Sequence, residues 1–249
     1  MKVKNIKSFI EFYKSLGITT CISQSTRIQE KDTLDKKGSC QKIIHKKESN
    51  NSIIPKSERI KNLLVKVHNL DCNLKDIASN LVFSDGNQNS EIMLIGEAPG
   101  AEEDRNGKPF VGQAGKLLDK MLGFIDLDRT KNFYITNLVF WRPPGNRTPN
   151  SQEIKTCISS TKEHINIIKP KLLIFLGNVA AKSLLKIDEG ITKLRGKEHF
   201  YIDENFNIKI PARAIFHPAY LLRNPIEKKR IWDDLLEIHN YLLKNKVKF

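Results

Sequence analysis

Ile92-Met93-Leu94-Ile95-Gly96-Glu97-Ala98-Pro99-Gly100-Ala101-Glu102-Glu103-Asp104, running on through Gly107-Lys108-Pro109-Phe110-Val111-Gly112, decides how the chain is read. Residues 92–95 are apolar without alternation, the pattern of a strand buried on both faces. Beyond the stretch, Ala114, Leu117, Leu118, Met121 and Leu122 recur at helical spacing. Between them lies a long loop joining a buried strand to an amphipathic helix, the place where open α/β sheets bind ligands. A plain connector needs only a few residues. This one holds glycines that admit a close backbone, clustered carboxylates and a single aromatic ring, Phe110.

Working outward, residues 133–138 and 172–176 are further apolar strands. Between them Ile154, Cys157, Ile158, Ile165 and Ile168 form one helical stripe, started by Thr148-Pro149 and ended by Lys169-Pro170. Gly177 opens a helix with Val179, Ala180, Ser183 and Leu184. Residues 199–210 predict a hairpin around Asp203-Glu204-Asn205, and residues 212–216 a last core strand. Ile231, Leu235, Ile238 and Leu242 mark a terminal helix over 226–243. Strands alternating with helices predict an α/β fold, a three-layer α/β/α sandwich around a small central parallel sheet. Glu97, Asn137 and His217 each follow or end a strand, which gathers them at one sheet edge.

The chain of 249 residues suffices for one α/β domain plus a tail. Its net charge of +14 favours a polyanionic partner, against the alternative of a Lys-rich composition. Residues 1–67 hold fifteen Lys/Arg against six Asp/Glu, so much of the excess lies where the fold signal is weakest. The division predicted is 1–59, a short helix (5–16, with Phe9, Ile10, Tyr13 and Leu16 on one side) plus a flexible basic linker, and 60–249, the folded domain. Four cysteines without paired spacing point to a reducing, cytoplasmic setting rather than a disulfide scaffold. No apolar run reaches membrane-spanning length, and the first ten residues lack the long apolar core of a leader. A membrane partner is therefore not expected.

Three stretches are similar to a known family. GEAPGAEED with GKPFVGQAG, NLVFWRPPGNR at 137–147 and HPAYLLR at 217–223 resemble, in order, motifs of the family 4 uracil-DNA glycosylases. The resemblance spans residues 68–242. It implies the uracil-DNA glycosylase fold and a monomeric DNA-repair enzyme. That enzyme flips uracil out of DNA, hydrolyses its N-glycosidic bond and leaves an abasic site for downstream repair enzymes.

Each candidate residue has a plainer reading beside the functional one. Phe110 is core, or the flat surface on which a flipped pyrimidine stacks. Asn137 is a strand-end turn residue, or the reader of uracil N3–H and O4, since an amide carries both an acceptor and donors. His217 is a satisfied core histidine, or the donor to uracil O2 as negative charge develops there. Glu97 follows a buried strand; its carboxylate can stabilise a cationic sugar and orient water. The resemblance pairs Glu97 with Asn146, places Gly96 against the base, and sets Glu103 near C5, where it crowds out a thymine methyl. Arg142, Arg147 and Arg223 are surface charges or phosphate contacts. Tyr220, Leu221, Leu222 and Arg223 are, by resemblance, the part that enters the duplex.

The family also carries a four-iron four-sulfur cluster. Cys72 matches its second cysteine and Cys157 its third. Asn69 stands where the first belongs, and residues 172–175, where the fourth is expected, hold none. Four thiolates are the usual requirement, so the ligand count favours a chain without the cluster and without another metal. Cys157 also falls on an apolar stripe, where a thiol packs as a small hydrophobe. The alternative to an enzyme is a non-catalytic or product-trapping protein that binds uracil or single-stranded DNA on the same fold. One superfamily branch links covalently to DNA through a histidine in a Lys-Arg-Arg-Ile-His stretch of the proline-rich loop. Here that loop reads Pro143-Pro144-Gly145-Asn146-Arg147-Thr148, without histidine.

Overall fold

The computed structural model describes residues 54–249, and Lys14 before them. Apart from Lys14, the helix expected at 5–16 lies outside the described residues, as do most of the linker, Cys21 and Cys40. Helix α1 (Lys56–His68) leads in, burying Ile60, Leu63 and Val67. Leu64, next to Leu63 in the chain, points away from that face and is exposed. Six strands follow: β1 (Ser84–Gly86), β2 (Ile92–Gly96), β3 (Tyr134–Asn137), β4 (Leu172–Leu176), β5 (His199–Asp203) and β6 (Ile208–Ile215). Their order is β1-β3-β2-β4-β6-β5. The four inner strands are parallel, and β1 and β5 close the edges antiparallel.

Side chains alternate across the sheet and so build two cores. Ile92, Leu94, Ile135, Leu172 and Ile174 face α3 (Gln113–Gly123), α7 (Pro218–Arg223) and α8 (Lys228–Lys244). Met93, Ile95, Tyr134, Leu173 and Phe175 face α1, α4 (Ser151–Ile168) and α5 (Asn178–Leu185). Ile231, Leu235, Ile238 and Leu242 are buried along α8, each contributing about 1.5–3 kcal/mol of apolar transfer. Helices on both faces of the sheet make the expected three-layer α/β/α sandwich.

Several local expectations need correction. The loop after β2 contains a short helix, α2 (Ala101–Asn106), and α6 (Ile191–Leu194) was not foreseen. Helix α4 starts two residues later than expected. Its N-cap is Asn150, whose side chain accepts from Glu153 N–H at 2.9 Å, while Glu153 Oε2 accepts from Asn150 N–H at 2.8 Å. This reciprocal capping box is the more stable start. The hairpin's second arm and the last core strand are one strand, β6, running through Pro211. Pro211 faces Phe200 of β5, and pairing with β4 begins only at Ala212. Where one side of a strand is unpaired, a missing N–H is tolerated.

Candidate active site

The parallel register sets Gly96 beside Asn137, at the C-terminal ends of β2 and β3. Two further bonds continue past the strand ends, Leu138 N–H to Gly96 O (2.9 Å) and Val139 N–H to Glu97 O (3.0 Å). Both neighbours of Gly96 need its missing Cβ: one there would overlap Asn137 Oδ1 and the Phe110 ring. Gly96 thus lies behind Asn137 and Phe110, which line a cavity of about 400 Å³ that Gly96 itself, expected against the base, does not line. Glu97, Glu103, Phe110, Asn137, Asn146 and His217 all line it. A larger open depression, about 1080 Å³, lies at the opposite sheet edge and includes none of these residues. The smaller cavity is the candidate site because titratable, amide and aromatic groups converge there.

Asn137 is buried, and its Oδ1 accepts a hydrogen bond from no described residue. Phe110 is buried with φ of 53°, and its ring centroid stands 5.8 Å from that of His217. His217 caps α7, its Nδ1 accepting from Ala219 N–H at 3.2 Å. That bond fixes the ring proton on Nε2. Burial lowers the imidazole pKa to about 4, with the nearby Arg223 charge lowering it further and Glu103 opposing. The ring is therefore neutral at ordinary pH.

Burial raises the Glu97 carboxyl above its usual range, partly offset by a hydrogen bond to the Thr148 side chain. The direct Glu97–Asn146 bond expected from the resemblance is not formed. Asn146 Oδ1 instead accepts from Arg142 Nε at 2.7 Å. Both residues still line the cavity, because Gly145 (φ 64°) and Asn146 (φ 56°) turn the proline-rich loop back over it. Glu103 Oε1 accepts from Val111 N–H (2.9 Å) and Gly112 N–H (2.8 Å), tying α2 to the loop that carries Phe110.

Three expectations for residues assigned to DNA contact change. Arg147 donates through both terminal nitrogens to the buried Glu153, at 2.9 and 2.6 Å, so its first task is to hold the proline-rich loop on α4. Leu221 is fully buried in the core beneath α7. Tyr220 packs its half-buried ring on Phe216, 5.2 Å between centroids. Only Leu222 and Arg223 of that group are exposed.

Thr148, Glu153 and Arg129 are site-shaping residues that the sequence reading missed. The Asn150-to-Glu153 spacing was a visible capping signal. Nothing local marked Arg129, whose partners are distant in sequence.

A four-iron four-sulfur cluster does not fit the described residues. Cys72 and Cys157 are buried, and their thiols are in hydrogen-bonding contact. Burial, chiefly, pushes the Cys157 thiol up to about 12, so without a metal it is a neutral, buried group. Asn69 is the C-cap of α1. The further ligand expected at 172–175 falls in the buried strand β4, and the backbone of Phe140 is what bonds to Cys157. No group of three or more potential metal ligands occurs among the described residues.

Comparison with known proteins points the same way as the geometry. The family model described as Uracil DNA glycosylase superfamily matches residues 83–236. A type-4 uracil-DNA glycosylase of Saccharolobus solfataricus is 40% identical over 175 residues, covering 69% of this chain and 80% of the relative. That of Archaeoglobus fulgidus is 37% identical over 171 residues, covering 67% and 84%. That of Thermotoga maritima is 35% identical over 191 residues, covering 76% and 93%.

Proposed function

The chain belongs to the uracil-DNA glycosylase superfamily, and from that premise we propose that it removes uracil from DNA by hydrolysing the N-glycosidic bond. The observation that carries this reading is the unpartnered, buried Asn137 Oδ1 at the cavity floor. A buried acceptor without a partner costs about 1–3 kcal/mol. Uracil N3–H supplies the missing donor while the Asn137 amide donates to O4. Cytosine presents an acceptor at N3 and a donor at its amino group, so the same amide leaves both edges mismatched. Phe110 offers the stacking face. Glu103, on the loop side of the cavity, is positioned to crowd a C5 methyl.

The chemistry follows from the two shifted groups. Water attacks C1′ as the C1′–N1 bond breaks, and the bonding pair leaves with uracil, concentrating charge toward O2. Neutral His217 donates from Nε2 to that oxygen, more strongly in the transition state than in the ground state. Glu97, desolvated and acting in its ionised form, stabilises the cationic sugar and accepts the water's proton. Asn146, oriented by Arg142, keeps its amide donors for substrate or water. Leu222 is the apolar group available to hold the gap in the duplex, with Arg223 for phosphate. No step needs a metal, and the same reading holds that this member works without the cluster. No described helix is long and apolar enough to cross a membrane.

The test is a uracil-containing oligonucleotide, single- and double-stranded, analysed for free uracil, abasic product and protein–DNA adduct. Release of uracil without adduct is expected. No release from either substrate would overturn the enzyme reading, and a stable adduct would favour the trapping protein. The same preparation, purified anaerobically, should lack stoichiometric iron and sulfide.

A further inference from the structure

We propose that Arg129, in the turn between α3 and β3, is a positioning residue that sets the stacking ring Phe110 from outside the cavity. The inference rests on the reading of Phe110 as the base platform. Arg129 donates to Pro109 O (2.7 Å) and Phe110 O (2.7 Å). Those carbonyls belong to the peptide units on either side of the Phe110 Cα. Pinning both planes fixes φ and ψ of Phe110 together. Phe110 needs this, because φ of 53° is a left-handed conformation that a bulky aromatic residue rarely holds unaided.

The surroundings fit a clamp rather than an incidental contact. The Arg129 side chain is only 13% exposed, and Asp85 (3.2 Å) and Asp119 (3.0 Å) balance its charge. Two carboxylates and two carbonyls around one planar guanidinium are a geometry that lysine cannot reproduce. On the far side of the same turn, Gly115 leaves room for the Phe110 carbonyl, which any Cβ there would overlap. Glu103 holds the next two N–H groups. Arg129 itself lines the opposite depression and not the candidate site, so it reaches substrate only through Phe110.

The experiment is a double-mutant cycle in the full chain, read as the single-turnover rate of uracil release at saturating enzyme, with DNA affinity measured separately. Arg129→Ala should lower the rate by about tenfold to a hundredfold, as expected for displacing a positioned group, with affinity nearly unchanged. Arg129→Lys, which keeps the charge but not the fork, should recover less than half of that loss on a logarithmic scale. The double variant Phe110→Ala/Arg129→Ala should be no slower than Phe110→Ala alone. A merely structural Arg129 would give losses that multiply, and that result overturns the proposal, as does a wild-type rate in either single variant. If Arg129→Ala does not fold, Arg129→Lys is carried through the same cycle. The aromatic NMR signals of Phe110 are the second readout. Arg129→Lys should broaden or split them, and an unchanged ring overturns the clamp even if the wild-type protein proves inactive. An inactive wild type with the ring response intact would count against the function and not the clamp.

Discussion

His164 and His217 are both histidines that desolvation holds neutral, one fully buried on the core side of α4 and the other half-buried at the cavity wall. The His164 pKa is lowered to about 3 by burial alone. Its ring stacks on Phe83 (4.7 Å between centroids) and bonds to the Tyr134 hydroxyl at 2.7 Å. Everything around it is protein. His217, lowered to about 4, satisfies Nδ1 on its own helix and turns the rest of the ring to a cavity lined by Asn137 and Glu97. The size of a pKa shift therefore does not separate a structural histidine from a working one. The deciding difference is whether a donor is left over where other polar groups converge.

The sharpest way to break this contrast is to mutate both. His217→Ala should reduce uracil release by about 10²–10³-fold, the usual loss for one donor to a developing oxyanion. His164→Phe should leave the rate of folded protein within about threefold but lower the melting temperature, with about 1–3 kcal/mol of stability lost. A large activity loss in His164→Phe, measured well below its melting temperature, would sink the distinction. Both histidines also tie stability to pH in one direction. The unfolded chain takes up their protons near the ordinary value of 6.5, and the folded chain only near 4 and 3. Stability falls as pH drops below 6.5, and in His164→Phe that fall should be shallower.

The next test concerns Glu97, the partner whose shift runs the other way. Glu97→Gln should slow release by about a hundredfold. As the base must be ionised, the wild-type rate should fall as pH drops through a value above the ordinary carboxylate range, with no inflection at 6.5 from His217. Thr148→Val removes the hydrogen bond that lowers the Glu97 pKa, so the acid limb should move to higher pH. A pH–rate profile unchanged in Thr148→Val would mean that Glu97 is not the titrating base.

The smallest effect is expected at the rim. Arg223→Gln should reduce the salt slope of DNA binding by about one unit. Arg147→Gln should leave that slope nearly unchanged, because the guanidinium is committed to Glu153. Equal slopes for the two variants would remove the distinction between a phosphate contact and a loop tether.

Much of this site is legible in the chain because strands with both faces covered announce themselves. The unbroken apolar runs 92–95 and 172–176 locate β2 and β4, and the polar residues that follow or end strands, Glu97, Asn137 and His217, fall together at one edge. Roles within HPAYLLR were not separable from sequence. Leu221 and Leu222 are adjacent and alike, and a helical turn sends one into the core and the other to the surface. Hydrogen-bond partners in the proline-rich loop were likewise hidden, since two consecutive left-handed residues decide which way Asn146 points.

The sequence by itself determined the layered α/β architecture and the set of groups at the cavity, because hydrophobic period and strand ends are local properties. Only the tertiary structure decided which carboxylate is desolvated and which thiols touch. It alone brought Arg129, nineteen residues after Phe110, to two consecutive carbonyls of that turn. These depend on distances between segments remote in sequence, and burial, charge and hydrogen bonding act through those distances.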